Sequence, residues 1–346
     1  MNRLATSLAL FAALTGATGL ASAQTASGAP GCDSGKPVRF AEVGWDSGKF
    51  HTEIIRALVE RGFGCKTEAV PGTNPIAQAA IMSGNLQFFV EYWKGRNETI
   101  ENAARQGKLD LVGSLIAGGG VEGIYVPEYV VKGDAAAGLE PMAPDLKSVT
   151  DLPKYKALFK DDEDPAMGRF YNCPTGWSCE ADNNQRLKAY GLSASYTNFR
   201  PGTGAALDSA ITSAFQRRQP IVFAYWAPSS ILGKFKAIRL EEPAWTEKCW
   251  KTIHASKVDD PCGSASPATT LTTEISGEFA KSDPAIVALV AKVSLPLHDV
   301  NVAIADMADK KTPAADEALM YLRRHPEMWK SWLPPQQAAR FEASLK

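Results

Sequence analysis

Short apolar runs alternate with helical patterns in the first part of the chain, and this order restricts the fold more than any other feature. Residues 38–43, 67–70 and 86–90 predict strands, because each run is short, apolar and bounded by turn-forming residues. Between them, apolar residues recur at helical spacing over 50–59 and 76–82. A β-α-β-α-β order predicts an open, mainly parallel sheet with helices on both faces. Ligands of such sheets bind beyond the carboxyl ends of the strands.

The remaining chain predicts a second α/β unit and then a return to the first. The crossing into the second unit is expected near Lys132 and Gly133, and a buried strand over 221–225 belongs to that unit. From Thr269 onward, a strand and four helices predict that the chain covers the first unit again. The expected domains are lobe one, from 37–132 and 269–346, and lobe two, from 133–268. A hinge between two α/β lobes allows them to close around a ligand.

The chain begins with the pattern of a secretory signal peptide. Arg3 supplies the positive start, residues 8–20 are apolar and mostly small, and residues 21–23 read Ala-Ser-Ala, a typical cleavage site. We therefore predict a signal peptide over 1–23, a flexible leader over 24–36, and delivery to the periplasm. No later stretch reaches the roughly 18 consecutive apolar residues of a membrane-spanning helix.

Six cysteines in an exported chain predict three disulfide bonds. Spacing favours the pairs Cys173–Cys179 and Cys249–Cys262, which leaves Cys32 with Cys65. Because six cysteines allow 15 pairings, the pairing beyond Cys173–Cys179 stays open at this point. Zinc is the alternative, but the Cys173–Cys179 spacing is not one that zinc sites use and no histidine pair lies nearby. We predict no metal site.

Charge and motifs argue against nucleic-acid binding and against several kinds of catalysis. The 37 basic residues nearly balance the 38 acidic ones and form no basic stripe, so nucleic acid is not an expected partner. Serine-hydrolase, zinc-protease and P-loop motifs do not occur. The four histidines are scattered, and His51 is predicted to lie on the surface of its helix. We predict that the chain is not an enzyme and needs no cofactor; glycoside hydrolysis, which requires two placed carboxylates, is the alternative.

The eight tryptophans carry the most information about function. Two of them at helical spacing and two near a cysteine predict packing, namely Trp329, Trp332, Trp245 and Trp250. The other four follow strands or lie in a constrained Gly-Trp loop, namely Trp45, Trp93, Trp177 and Trp226. A cage of indoles binds a quaternary ammonium group through cation–π attraction. For each of the four, packing alone is the alternative to a place in such a cage.

The loop from Cys173 to Cys179 suggests where the other end of the ligand binds. A disulfide across this loop would hold Trp177 and present the backbone N–H groups of Ser178 and Cys179 beside it. A carboxylate is best bound by N–H donors. The loop therefore suits a ligand with one cationic and one anionic end.

These residues resemble the glycine betaine/proline betaine-binding proteins of ABC importers. Four stretches carry the resemblance: Cys-Pro-Thr-Gly-Trp-Ser-Cys-Glu at 173–180, the strand ending in Trp-Ala-Pro at 222–228, the strand ending in tryptophan at 88–93, and Leu-Pro-Leu at 295–297. It covers essentially the mature chain. The resemblance implies a type II periplasmic-binding-protein fold.

The resemblance also implies which residues bind the ligand. Trp93 would form a box with Trp177 and Trp226, and the backbone of Ser178 and Cys179 would hold the carboxylate. The Gly-Trp-Asp stretch at Trp45 and Asp46 is similar to the choline- and betaine-binding branch, where the tryptophan joins the cage and the acidic residue meets a hydroxyl or a cation.

Two departures from the family pattern bear on the choice of ligand. Ser178 stands where one branch has glycine, and Glu91 precedes the box tryptophan where smaller or amide residues are usual. If Glu91 faces the cleft, its charge favours a cation such as choline over a zwitterion. Glycine betaine, proline betaine or choline is the expected ligand, and carnitine, trimethylamine oxide and histidine stay open.

The resemblance further implies partners. The chain would be a monomeric receptor that delivers its ligand to an ABC permease and ATPase complex at the inner membrane. A receptor subunit that binds the same class of ligand but signals instead is the alternative.

Overall fold

The computed structural model describes Cys32, residues 35–254 and residues 258–346. The predicted signal peptide, and all of the predicted leader except Cys32, Gly35 and Lys36, lie outside the described residues. Ten strands of the described part form two sheets. In chain order they are β1 (Val38–Glu42), β2 (Thr67–Pro71), β3 (Phe88–Trp93), β4 (Leu109–Val112), β5 (Val121–Pro127), β6 (Gly168–Tyr171), β7 (Tyr196–Phe199), β8 (Val222–Ala227), β9 (Ala237–Arg239) and β10 (Leu271–Ser276).

Helices follow most of the strands and then form a long C-terminal series. Up to β10 they are α1 (Asp46–Ala57), which continues as a π-helical turn over Leu58–Phe63, α2 (Asn74–Met82), α3 (Glu98–Arg105), α4 (Glu128–Lys132), α5 (Ser178–Ala189), α6 (Gly204–Gln216), α7 (Ser230–Lys234) and α8 (Glu247–His254), with 3-10 turns at Ala135–Ala137 and Val149–Tyr155. After β10 they are α9 (Gly277–Ser282), α10 (Pro284–Lys292), α11 (Leu297–Lys310), α12 (Ala314–Arg324), α13 (Pro326–Trp332) and α14 (Pro335–Ser344). Within the part of the chain that the structure describes, no helix is both long and apolar enough to span a bilayer.

Each sheet has five strands, and one of the five runs antiparallel to both of its neighbours. The first sheet has the order β2-β1-β3-β10-β4; β1 is parallel to β2 and β3, whereas β10 runs antiparallel to both of its neighbours. The second sheet has the order β7-β6-β8-β5-β9, with β5 as the corresponding antiparallel strand. The prediction of two α/β units is confirmed, and we call the part built on each sheet a lobe.

The crossing between the lobes lies earlier than we predicted. Strand β5 pairs with β8 and β9, so it is part of the second sheet although it precedes the expected boundary at Lys132 and Gly133. The prediction was wrong here because the three glycines at 118–120 come directly before β5, so the chain enters the second lobe there. The chain returns to the first sheet with β10.

Each lobe has its own apolar core. In the first lobe, the C-terminal helices pack against α1, where the ring of Tyr321 lies edge-on to Phe50 with centroids 5.6 Å apart. Trp329 and Trp332 are 1% and 6% exposed, so the prediction that they pack in the core is confirmed. Trp245 is 49% exposed, and the prediction that it packs was wrong. It lies between β9 and α8 in a segment that follows the surface.

The three predicted disulfide bonds are present. Cys173–Cys179 closes a loop of the second lobe, Cys249–Cys262 ties α8 to the chain after it, and Cys32–Cys65 joins the start of the described chain to the segment before β2. None of the cysteines in the described part is free.

Candidate functional site

A cavity of about 370 Å³ lies between the two lobes. The first lobe contributes the end of β3, the start of α2 and Trp45; the second contributes β5, β8 and the first turn of α5. All four tryptophans proposed for the cage line this cavity, namely Trp45, Trp93, Trp177 and Trp226. Its wall also carries four charged side chains, namely Glu91, Arg96, Glu122 and Glu180.

The four indoles reach the cavity from different elements. Trp45 is the residue before α1, Trp93 ends β3, Trp226 lies near the end of β8, and Trp177 precedes α5. The ring of Trp177 stands edge-on to both Trp45 and Trp226, with centroid distances of 5.9 and 5.5 Å. Trp45 and Trp93 also pack against the core of the second lobe. The site therefore combines aromatic surface from both lobes, as the sequence suggested.

Two glycines leave room for the indoles. A Cβ atom at Gly120 would lie 2.6 Å from the ring of Trp93, and one at Gly204 would lie 2.9 Å from the ring of Trp177. Side-chain carbons do not approach each other so closely, so any other residue would displace the ring. Because both positions are glycine, the rings of Trp93 and Trp177 can occupy the places in which they line the cavity.

The disulfide loop places Trp177 at the start of a helix. The N–H of Trp177 donates to the carbonyl of Pro174 at 3.2 Å, and α5 begins at the next residue, Ser178. The first N–H groups of a helix have no acceptor within it, and they lie at the positive end of its dipole. Ser178 and Cys179 both line the cavity. The two residues predicted to bind an anionic group thus lie at the start of a helix on the cavity wall.

Glu91 is buried, and its carboxylate is bound by protein donors. Oε1 accepts hydrogen bonds from Trp45 Nε1 at 2.7 Å and from Ser47 Oγ at 2.9 Å, and Oε2 lies 2.6 Å from His51 Nδ1. His51 has no exposed surface, so the prediction that it lies on the helix surface was wrong. The polar neighbours of His51 in the sequence suggested a surface position. Its actual partner is a carboxylate 40 positions away, which local sequence does not reveal.

Asp46 lies beside the cage rather than in it. It lines a small neighbouring pocket, where Asp208 and Tyr225 also lie, and its carboxylate is 3.6 Å from Lys49 Nζ. Tyr225 donates to Asp208 Oδ1 at 2.5 Å, and burial raises the pKa of Asp208 to about 6. The structure therefore separates Asp46 from the large cavity that contains the other predicted site residues.

Sequence reasoning missed an ion-pair network that joins the lobes at the cavity wall. Arg96, from the turn after β3, donates to Asp182 Oδ2 at 2.5 Å and to Glu122 Oε2 at 2.7 Å, and both acceptors belong to the second lobe. Its guanidinium lies 4.7 Å from the ring of Trp250. Burial opposes ionisation of Asp182, but hydrogen bonding from His254 and the charge of Arg96 outweigh it and hold the pKa of that carboxyl below its usual value.

Two α/β lobes around a tryptophan-lined cavity define a two-lobed solute-binding protein. Among solved structures, a glycine/betaine/L-proline-binding protein of Borrelia burgdorferi is similar over 88% of this chain and 100% of its own, with 16% identity and a TM-score of 0.68. An ABC-transporter choline-binding protein in complex with choline is similar over 92% and 99%, with 17% identity and a TM-score of 0.67. At these identities the likeness shows the fold.

The sequence comparisons show the family. The family described as the substrate-binding domain of the ABC-type glycine betaine transport system matches residues 36–324, and the chain belongs to it. The glycine betaine/proline betaine-binding periplasmic protein of Escherichia coli (strain K12) is 24% identical over 82% of this chain and 85% of its own length. Its counterpart in Salmonella typhimurium is 22% identical over 84% and 87%.

Proposed function

We propose that the protein captures a quaternary ammonium compound between its two lobes and delivers it to an ABC permease and ATPase complex. The observation that carries this proposal is the convergence of Trp45, Trp93, Trp177 and Trp226 on one cavity between the lobes. A methylated ammonium group donates no strong hydrogen bond, so aromatic faces are the groups that distinguish it from other solutes.

The start of α5 supports a ligand with an anionic end. Ser178 and Cys179 line the same cavity as the indoles and form the start of α5, and N–H donors at a helix start attract carboxylates. The relatives named above bind glycine betaine, proline betaine or choline, and these are the first ligands to test. Carnitine, trimethylamine oxide and histidine are the related amines that belong in the same panel.

Intrinsic tryptophan fluorescence during titration tests this proposal. We expect a saturable change with at least one methylated amine, because the ligand contacts several indoles. Trp93→Ala and Trp226→Ala should each weaken binding about tenfold or more, since each removes a desolvated cation–π contact. Trp245→Ala is the matched control: its indole is 49% exposed and does not line the cavity, so affinity should not change.

Two results would contradict the proposal. One is a wild-type protein that responds to no member of the panel. The other is unchanged affinity in both cavity variants, which would mean that the indoles pack without contacting the ligand. In either case a glycoside panel would be the next assay, because stacking on sugar rings is the other common use of exposed indoles.

Location and assembly are part of the proposal. The curated relatives are named as periplasmic proteins, and we propose that this chain is exported to the periplasm and acts as a monomer without catalytic activity. Fractionation of cells that express the full chain, with N-terminal sequencing of the product, tests export and cleavage after Ala23. Light scattering of the purified product gives its mass in solution.

A further inference from the structure

Glu91 occupies an unusual backbone position in β3. Its φ is +69°, a left-handed conformation that residues other than glycine seldom adopt. The residues on either side of it pair with Thr273 and Thr272 of β10, so Glu91 is the extra residue of a β-bulge. A bulge redirects a side chain, and this one brings the carboxylate to the indole N–H of Trp45.

The contacts of this carboxylate are all donors from the start of one helix. Trp45 precedes α1, and Ser47 and His51 lie in its first two turns. Ser47, His51 and Glu91 are 2%, 0% and 1% exposed. An ionised carboxylate only accepts hydrogen bonds, and three donors directed at its two oxygens fit that form.

The imidazole of His51 can donate to Glu91 through Nδ1. Nδ1 must carry a proton to donate to Glu91, and Nε2 is buried with no hydrogen-bond partner among the described residues. A charged ring would bury a second N–H group without an acceptor, which is costly, whereas a neutral ring leaves only a bare nitrogen there. With its proton on Nδ1 alone, the ring is a neutral donor and leaves the negative charge of Glu91 in place.

Other carboxylates of the cavity wall have cationic partners. Glu122 accepts from Arg96 at 2.7 Å, and Glu180 lies 3.4 Å from Arg200. Within the described part of the chain, no lysine or arginine forms an ion pair with Glu91. Among the described carboxylates of the wall, Glu91 is thus the one without a lysine or arginine partner.

We propose that Glu91 is a specificity-determining residue that favours ligands with a net positive charge over zwitterions. It accepts a hydrogen bond from the indole N–H of Trp45 and so places a negative charge at that edge of the ring, which strengthens the attraction of the ring face for a cation. The same charge repels the carboxylate of a zwitterion, and such interactions are strong where water is excluded. The inference rests on the proposed function, because it requires an ammonium group in the cage.

The test compares the affinities of choline and glycine betaine for the wild-type protein and for the variant Glu91→Gln. Glu91→Gln removes the charge but keeps an oxygen that can accept from Trp45. Calorimetric titration should show that choline binds about tenfold more weakly or worse to the variant, whereas the affinity for glycine betaine changes by less than about threefold. His51→Gln is the matched control: it changes the same buried cluster but leaves the charge, so both affinities should move together and their ratio should be preserved.

The outcomes separate this inference from the proposed function. If Glu91→Gln loses affinity equally for choline and glycine betaine, or for neither, the inference is overturned. The proposed function would still stand, because the wild-type protein binds the ligands. A wild-type protein that binds neither ligand would overturn both. If Glu91→Gln does not fold, Glu91→Asp replaces it: the carboxylate retreats by one methylene from the indole, and the choline-to-betaine affinity ratio should fall by about threefold. An unchanged ratio in that variant would also overturn the inference.

Discussion

At the scale of single residues, two glycines determine where two of the cavity's indole rings can lie. Neither Gly120 nor Gly204 lines the large cavity, yet a methyl group at either would overlap an indole that does. A cation–π contact depends on the position of the ring face relative to the cation. We therefore expect these glycines to influence ligand affinity through the space that they leave free for the rings.

Gly120→Ala should weaken ligand binding without unfolding the protein. The new Cβ would lie 2.6 Å from the ring of Trp93 and force that ring into the cavity, so we expect affinity to fall about tenfold. Gly202→Ala is the control, because a Cβ there meets no atom within 4 Å. The measurement is calorimetric affinity beside the thermal midpoint of each variant. Wild-type affinity in Gly120→Ala would show that Trp93 can give way without loss.

At the scale of elements, strand β10 carries a buried carboxyl behind the cavity. Glu274 has no exposed surface; its Oε1 accepts from Gln78 Nε2 at 2.7 Å, and its Oε2 has no partner among the described residues. Burial raises the pKa of Glu274 to about 8. Gln78 itself lines the cavity.

Glu274→Gln should make the protein more stable in alkaline solution and leave it unchanged in acid. Between the ordinary pKa of 4.5 and the raised value of about 8, the folded state retains a proton that the unfolded state has lost. The contribution of this group to the free energy of unfolding therefore falls as pH rises through that range. We expect the variant to gain about 4 to 5 kcal/mol at pH 8.5 and almost nothing at pH 4.5.

Urea unfolding at the two pH values measures this gain. Glu98→Gln is the control, because the side chain of Glu98 is 80% exposed in α3. A gain of equal size at both pH values would contradict the argument, since it would not come from the proton of Glu274.

Features set by local sequence were predicted, whereas features that depend on contacts between distant parts of the chain were missed. Strands β1, β2, β3, β8 and β10, the tryptophans at strand ends and the Cys173–Cys179 loop are local patterns, so spacing and residue type were enough to predict them. His51 and Arg96 were missed because their roles depend on partners 40 and 86 positions away. The antiparallel insertion of β5 and β10 was missed because a sequence run does not show the direction of its neighbours.

At the scale of the whole molecule, Arg96 links the lobes at the edge of the cavity. It is 7% exposed, and it reaches from the first lobe to Asp182 in α5, the helix whose start faces the cavity. A change in the angle between the lobes must therefore break or form this ion pair. Removal of one partner of a buried pair is destabilising, because the other charge stays buried.

Arg96→Met should favour an open arrangement of the lobes. Without the guanidinium, Asp182 and Glu122 gain more from water than from the interface, so we expect a larger radius of gyration in X-ray scattering and about tenfold weaker ligand binding. Arg105→Met is the control, because that side chain is 61% exposed in α3. An unchanged scattering curve and affinity would mean that apolar contacts alone hold the lobes together.

The three disulfide bonds have a consequence for how an exported chain matures. Each bond joins cysteines of one lobe, at separations of 33, 6 and 13 positions, and none of them crosses the cleft. Covalent maturation of one half can therefore finish before the other half is complete. The finished bonds then reinforce each half as a separate rigid body. Oxidation can therefore stabilise each half without a covalent link that would restrict movement of one lobe relative to the other.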